Sequence, residues 1–145
     1  MRADFYLLSH GTVEAALPRI ARAVRGAGER LLVVSEDTEQ LARLDRALWQ
    51  ELPEEFLAHG VAGEPHAGRQ PLLLSESCAP ENGARFIAFV DGKWRDEAFA
   101  FERAFLFFDE STIDAARSTW RVLGGREDVE RRFWKQDGGR WIEGP

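Results

Sequence analysis

AFLFFDESTIDAARSTWRVL, residues 104 to 123, is the stretch that decides the fold of this chain. Phe105, Leu106, Phe107 and Phe108 form a short continuous apolar run, the pattern of a strand covered on both faces. Asp109 and Ser111 then offer capping oxygens, and Ser111 with Asp114 three residues on has the form of a capping box. A helix therefore follows. On a wheel of about 100° per residue, Ile113, Ala116, Trp120 and Leu123 share an arc of roughly 80°, the packing face. Arg117 and Arg121, four residues apart, sit together at the edge of that arc beside Trp120. Two readings of this edge stand. Two guanidiniums next to an indole can clamp a peptide that carries carboxylates and an aromatic side chain. Alternatively, Trp120 is core and the arginines are a solvated helix edge.

The same alternation of strand and helix runs through the N-terminal half. Asp4 to Leu8 reads as a buried strand that ends in Ser9-His10-Gly11-Thr12. Thr12 can cap a helix in which Val13, Leu17, Ile20 and Val24 recur at helical spacing. Pro18 requires either that the regular helix starts near Leu17 or that it kinks there. Gly26 and Gly28 end it. Arg30 to Ser35 is a second buried strand, and Asp37 or Thr38 caps a helix with Leu41, Leu44 and Leu48 as its packing stripe. This rhythm predicts an α/β fold, with a parallel sheet joined by right-handed crossovers.

Trp49 falls about 120° off the centre of the leucine stripe. With Phe56 in the loop that follows, it marks either an interface or a flap folded over the sheet edge. Gly60 to Pro71 reads as a loop exposing Glu64, His66 and Arg69. Leu72 to Leu74 is a short strand, Cys78 to Gly83 a turn, and Arg85 to Val90 an apolar strand ended by Asp91-Gly92. Lys93 to Phe101 reads as a short helical turn or loop. Gly124 and Gly125 stop the late helix. Two aromatic-rich runs, Arg132 to Gln136 and Arg140 to Ile142, flank Asp137-Gly138-Gly139 and read as a C-terminal hairpin.

Composition narrows the function. A length of 145 residues suits one domain spanning 1–145. No apolar run approaches the roughly 20 residues needed to span a bilayer, and the N-terminus lacks a signal-peptide layout. A single cysteine, Cys78, excludes an internal disulfide framework and fits a reducing cytoplasm. The net charge of −6 argues against a general nucleic-acid coat. From Ala116 onward, however, seven basic residues face five acidic ones, so this end carries +2 and the rest −8. Such asymmetry permits a local site for an acidic partner.

Several chemistries lack their residues. There is no G-x-x-x-x-G-K-[ST] loop, and Gly26-Ala27-Gly28 precedes a strand, whereas a dinucleotide fingerprint follows one. The Ser9 to Thr12 turn could hold an anion on helix amides but supplies neither a lysine nor a metal-binding carboxylate. His10, His59, His66 and Cys78 show no zinc spacing, so neither metal nor cofactor is expected. G-x-S-x-G is absent. A binding module remains. The alternatives are a small enzyme using Ser9 to Thr12 or Cys78, and a single-stranded nucleic-acid binder using the arginine- and tryptophan-rich C-terminal region.

Five blocks carry a family resemblance: Phe5-Tyr6-Leu7-Leu8; LARLDRALW, Leu41 to Trp49; Phe56-Leu57-x-His59-Gly60; FFDE followed by AARSTWR, ending at Arg121; and FWKQDGGRW, Phe133 to Trp141. In this order and spacing the chain resembles the chi subunit of the bacterial DNA polymerase III holoenzyme. The resemblance implies a cytoplasmic, non-catalytic clamp-loader accessory subunit. Its implied fold is three-layered and Rossmann-like, a mostly parallel sheet flanked by helices and without a nucleotide site. It also implies that the chain grips the acidic, phenylalanine-ended C-terminal tail of single-stranded-DNA-binding protein, so that contact with nucleic acid is mainly indirect. The matching residues are Arg117 and Trp120, with Arg121 beside them. A second surface, matching Trp49 and Phe56, would face the psi subunit or a helicase partner.

Overall fold

The computed structural model describes residues 1–137 and 140–144. In chain order they form β1 (Arg2–Leu7), α1 (Val13–Gly26), β2 (Leu31–Val34), α2 (Thr38–Gln50), β3 (His59–Val61), β4 (Leu72–Ser75), β5 (Phe86–Phe89), β6 (Arg103–Phe108), α3 (Ile113–Gly124), β7 (Glu130–Asp137) and β8 (Arg140–Glu143). The strands make one sheet in the order β3-β4-β2-β5-β6-β1-β7-β8. Every neighbouring pair is parallel except β7 with β8. The expected three-layer, mostly parallel sheet with a C-terminal hairpin is thus what the chain adopts. The Gly138-Gly139 turn of that hairpin lies outside the described residues. Among the described residues no helix is long and apolar enough to cross a membrane.

The apolar runs are explained by cover on both sides. Phe105 and Phe107 pack beneath α1 and α2 with Leu17, Leu44 and Val33. Leu106 and Phe108 pack on the opposite face with Ala116 and Leu123 of α3. A 3-10 turn at Asp96–Ala100 helps cover that second face, burying Ala98. It occupies the segment that the sequence left between turn and loop.

Three local expectations need correcting. Gly60 to Pro71 is not loop throughout: β3 ends in it, and Ala67–Arg69 is a 3-10 turn. Three residues centred on a glycine have no periodicity to read, and the strand is instead secured by a buried imidazole. His59 Nδ1 lies 2.8 Å from the Leu57 carbonyl and Nε2 2.7 Å from Asp45 Oδ1. The capping box is also absent. Asp109 Oδ1 captures the Ser111 hydroxyl at 2.6 Å and its amide at 2.9 Å in an Asx turn, so Thr112 becomes the residue before α3. Lastly, of the two readings of Pro18, the late start near Leu17 is the one that fails. The helix α1 begins at Val13, where Thr12 Oγ1 accepts from the Ala15 amide at 3.2 Å, and Pro18 lies inside it.

Candidate functional site

The helix singled out by the sequence is seated by a close approach. Gly92 has φ +78°, and a Cβ there would stand 2.6 to 2.8 Å from the Thr112 side chain. Only a glycine satisfies both conditions, so Asp91-Gly92 fixes where α3 begins. From this start α3 crosses over β1 and β7. Trp120 meets Phe5 edge-on, with ring centroids 5.2 Å apart at 86°, and Phe133 at 6.4 Å and 80°. Trp120 is half-buried, not sealed.

A pocket of about 270 Å³ opens between α3 and the sheet. Phe5, Leu7, Phe108 and Phe133 form its floor, Ile113, Ala116 and Trp120 its helix wall, and Arg117 its charged member. The Arg117 side chain is 65% exposed and its nearest carboxylate, Asp114, is 3.9 Å away. An exposed pair at that distance is weak, so the guanidinium is free to take another anion. Arg121 does not line this pocket; its Nη2 donates to Ser118 Oγ at 3.3 Å.

The cation that stacks on Trp120 is one the sequence reading did not name. Arg131 of β7 lies 4.2 Å from the indole centroid and donates from Nη1 to the Trp120 carbonyl at 2.6 Å. It thereby satisfies a carbonyl near the end of α3 and props the ring against the pocket. The space comes from Gly124, where a Cβ would sit 2.7 Å from the Arg131 guanidinium carbon. The available signal was the i, i+2 spacing of Arg131 and Phe133, which puts both on one face of a strand.

Behind the pocket, β7 is fastened to β1 and β6 by one carboxylate. Asp4 is fully buried and accepts from Arg2 Nη2 at 2.9 Å, Arg103 Nε at 2.7 Å and Trp134 Nε1 at 2.9 Å. Three donors on three strands share a single anion, which sets the position of Phe133, the next residue along from Trp134. Trp134 and Trp141 both turn to the α1 side, stacking on or edging against Tyr6 at 6.1 and 4.9 Å. This separates them from the cationic side of the hairpin. Alternating cations and aromatics in the tail therefore do not form one surface for stacking bases.

Trp49 and Phe56 lie at the other edge of the sheet, beside β3. Their rings are 5.4 Å apart, with Trp49 4.5 Å from the His59 ring. They are 48% and 78% exposed, so they form no flap over the edge. Exposed paired aromatics of this kind are interface material.

Elsewhere the chemistry is unpromising. The crevice at the carboxyl ends of β1, β5 and β6, where such folds hold nucleotides, measures about 250 Å³. Glu14, Asp91 and Asp109 line it, without a lysine or arginine, which opposes a phosphate. Burial, helped by the nearby Glu97 carboxylate, holds the Cys78 thiol above its ordinary range, the reverse of an activated nucleophile. Among the described residues no three His, Cys, Asp or Glu side chains are grouped to hold a metal ion.

Residues 1–128 match the family model described as "DNA polymerase III chi subunit, HolC". The chain belongs to that family. The DNA polymerase III subunit chi of Escherichia coli (strain K12) is 31% identical over 130 residues, covering 83% of this chain and 88% of that protein. The DNA polymerase III subunit chi of Haemophilus influenzae (strain ATCC 51907 / DSM 11121 / KW20 / Rd) is 32% identical over 76 residues, covering 50% of this chain and 53% of that protein. Trp49, Phe56, Arg117, Trp120 and Arg121 all fall inside the stretch matched by the chi model, whereas β7 and β8 lie beyond it.

Proposed function

We propose that this chi-family chain is a non-catalytic accessory subunit of the DNA polymerase III clamp-loader complex, and that it links the complex to single-stranded-DNA-binding protein by gripping that protein's acidic C-terminal tail. The observation that supports this most is the pocket between α3 and the sheet, apolar in floor and wall, with one loosely paired arginine among its lining residues. Such a site suits a terminal aromatic side chain whose α-carboxylate pairs with Arg117 in a charge-assisted, two-pronged contact. Trp120 forms the wall against the ring. Arg121, outside the pocket, contributes longer-range attraction that fades as salt screens it.

The test is a fluorescence-anisotropy titration with a labelled acidic peptide ending in a free phenylalanine. Arg117→Ala should weaken binding at least tenfold while the thermal midpoint stays within about 2 °C, since exposed substitutions usually change stability by less than about 0.5 kcal/mol. Unchanged affinity would refute the assignment. Trp49 and Phe56, the exposed pair on the opposite edge, are assigned to the polymerase-side or helicase partner, with a psi subunit as one form of it. A pull-down in which Trp49→Ala with Phe56→Ala keeps every wild-type partner would refute that.

A further inference from the structure

The strand pleat and register place a second set of side chains next to the pocket. On β7, Trp134 and Gln136 face the α1 side: Trp134 stacks on Tyr6, and the Gln136 carboxamide oxygen accepts from the His10 amide at 3.2 Å. Arg131 and Phe133 face α3, and Lys135 follows them by alternation. Lys135 pairs in register with Leu7 on one side and Ile142 on the other, and Leu7 pairs with Phe108. Phe108, Leu7, Lys135 and Ile142 are therefore one row across four adjacent strands on a single face. The first two line the pocket; the last two are exposed, Ile142 by 37%. Arg140, two residues before Ile142, shares that face and is also exposed.

We propose that the α3-facing side of β7 and β8 is the second half of the peptide site, taking the acidic residues that precede the terminal aromatic side chain. This rests on the function proposed above. Charge favours that occupant. The ribbon's ion pairs among the described residues join Arg132 to Glu130 and Glu143, all on the α1 side, and Lys135 and Arg140 enter none. Asp137 is the one carboxylate of the described ribbon on the α3-facing side, opposite Arg140, and leaves that side net positive with Arg131 and Lys135. Distance favours it too. Leu7 and Ile142 are two strand spacings apart, about 10 Å, which three residues of extended chain cover. A peptide with its last ring in the pocket thus reaches Lys135 and then Arg140 with the three or four residues before it. Ile142 between them offers an apolar contact to one of those residues.

The experiment compares two N-terminally labelled peptides, an acidic decapeptide ending in free phenylalanine and its terminal tripeptide, on wild type and on the Lys135→Ala/Arg140→Ala double variant. Both substitutions are exposed, so the fold should stand, and circular dichroism would verify it. The double variant is expected to bind the decapeptide five- to tenfold more weakly in 50 mM salt and the tripeptide as wild type does. The difference should shrink in 300 mM salt, as screened contacts require. Equal decapeptide affinity, or equal losses for both peptides, would overturn the proposal. Were Arg117→Ala to abolish binding while the double variant bound normally, only the hairpin's role would fall. If wild type bound neither peptide, both readings would fall. Loss of oligonucleotide binding in the double variant, with peptide binding intact, would mark the ribbon as a nucleic-acid surface instead and also overturn it.

Discussion

Replacing Asp4 by asparagine keeps the volume of the side chain and removes its charge, which isolates what that carboxylate does. The asparagine can turn one oxygen toward Arg2, Arg103 or Trp134, but its amide nitrogen must then face another donor. Removing one partner of a fully buried ion pair costs about 3–5 kcal/mol. Here the Arg2 and Arg103 side chains are 29% and 25% exposed, so water takes over part of their solvation. The expected loss lies at the lower end, about 3 kcal/mol, which for a domain of this size lowers the melting temperature by roughly 6–12 °C. Urea unfolding followed by both tryptophan fluorescence and far-ultraviolet circular dichroism supplies the free energy, with coincident transitions as the two-state check. Trp134→Phe alone should cost about 1.5–3 kcal/mol, the range for a hydrogen bond to a charged group. In the Asp4→Asn background it should cost less, because the bond is already compromised. A melting temperature within about 2 °C of wild type for Asp4→Asn, or strictly additive losses, would refute the idea that this anion fastens the hairpin strand to the sheet.

Gly92→Ala should destabilise by about 2–4 kcal/mol, combining a left-handed backbone position with overpacking against Thr112. Because it displaces the start of α3, it should also weaken peptide binding; a variant as stable as wild type would contradict the seating of the helix. Alkaline unfolding provides an independent check. Burial, reinforced by the Asp4 charge, pushes the Tyr6 phenol up to about 12. A pKa raised in the folded state means this contribution is complete below pH 10 and is lost as pH climbs from about 10 to 12, on the order of 2–3 kcal/mol in all. Tyr6→Phe should therefore flatten the stability–pH curve over that interval, and an unaltered slope would count against the phenol being held neutral.

The fold was legible where burial is two-sided. Phe105 to Phe108, Leu31 to Val34 and Phe86 to Phe89 are covered by helix or turn on both faces, and uninterrupted apolar runs report that directly. β3 was illegible because its security comes from His59 and Asp45 across a loop, a pairing no local pattern encodes. The hairpin was read from its aromatics, but not its place beside β1, since parallel pairing depends on sequence-distant register. At the candidate site, the helical wheel put Arg117 beside Trp120 correctly. It also grouped Arg121 with them, and the pocket excludes that residue because the floor lies toward Phe133, on the Arg117 side of the helix. Arg131 escaped notice because a cation on a neighbouring strand is invisible to a wheel drawn for one helix.

Amide and indole chemical-shift mapping during titration with an acidic peptide ending in free phenylalanine tests the central claim most directly. The account predicts saturable shifts at Ile113, Ala116, Arg117 and Phe133 and at the Trp120 indole, reduced when the peptide's terminal carboxylate is amidated. Shifts confined to Trp49, Phe56 and their neighbours, or none at all, would contradict it.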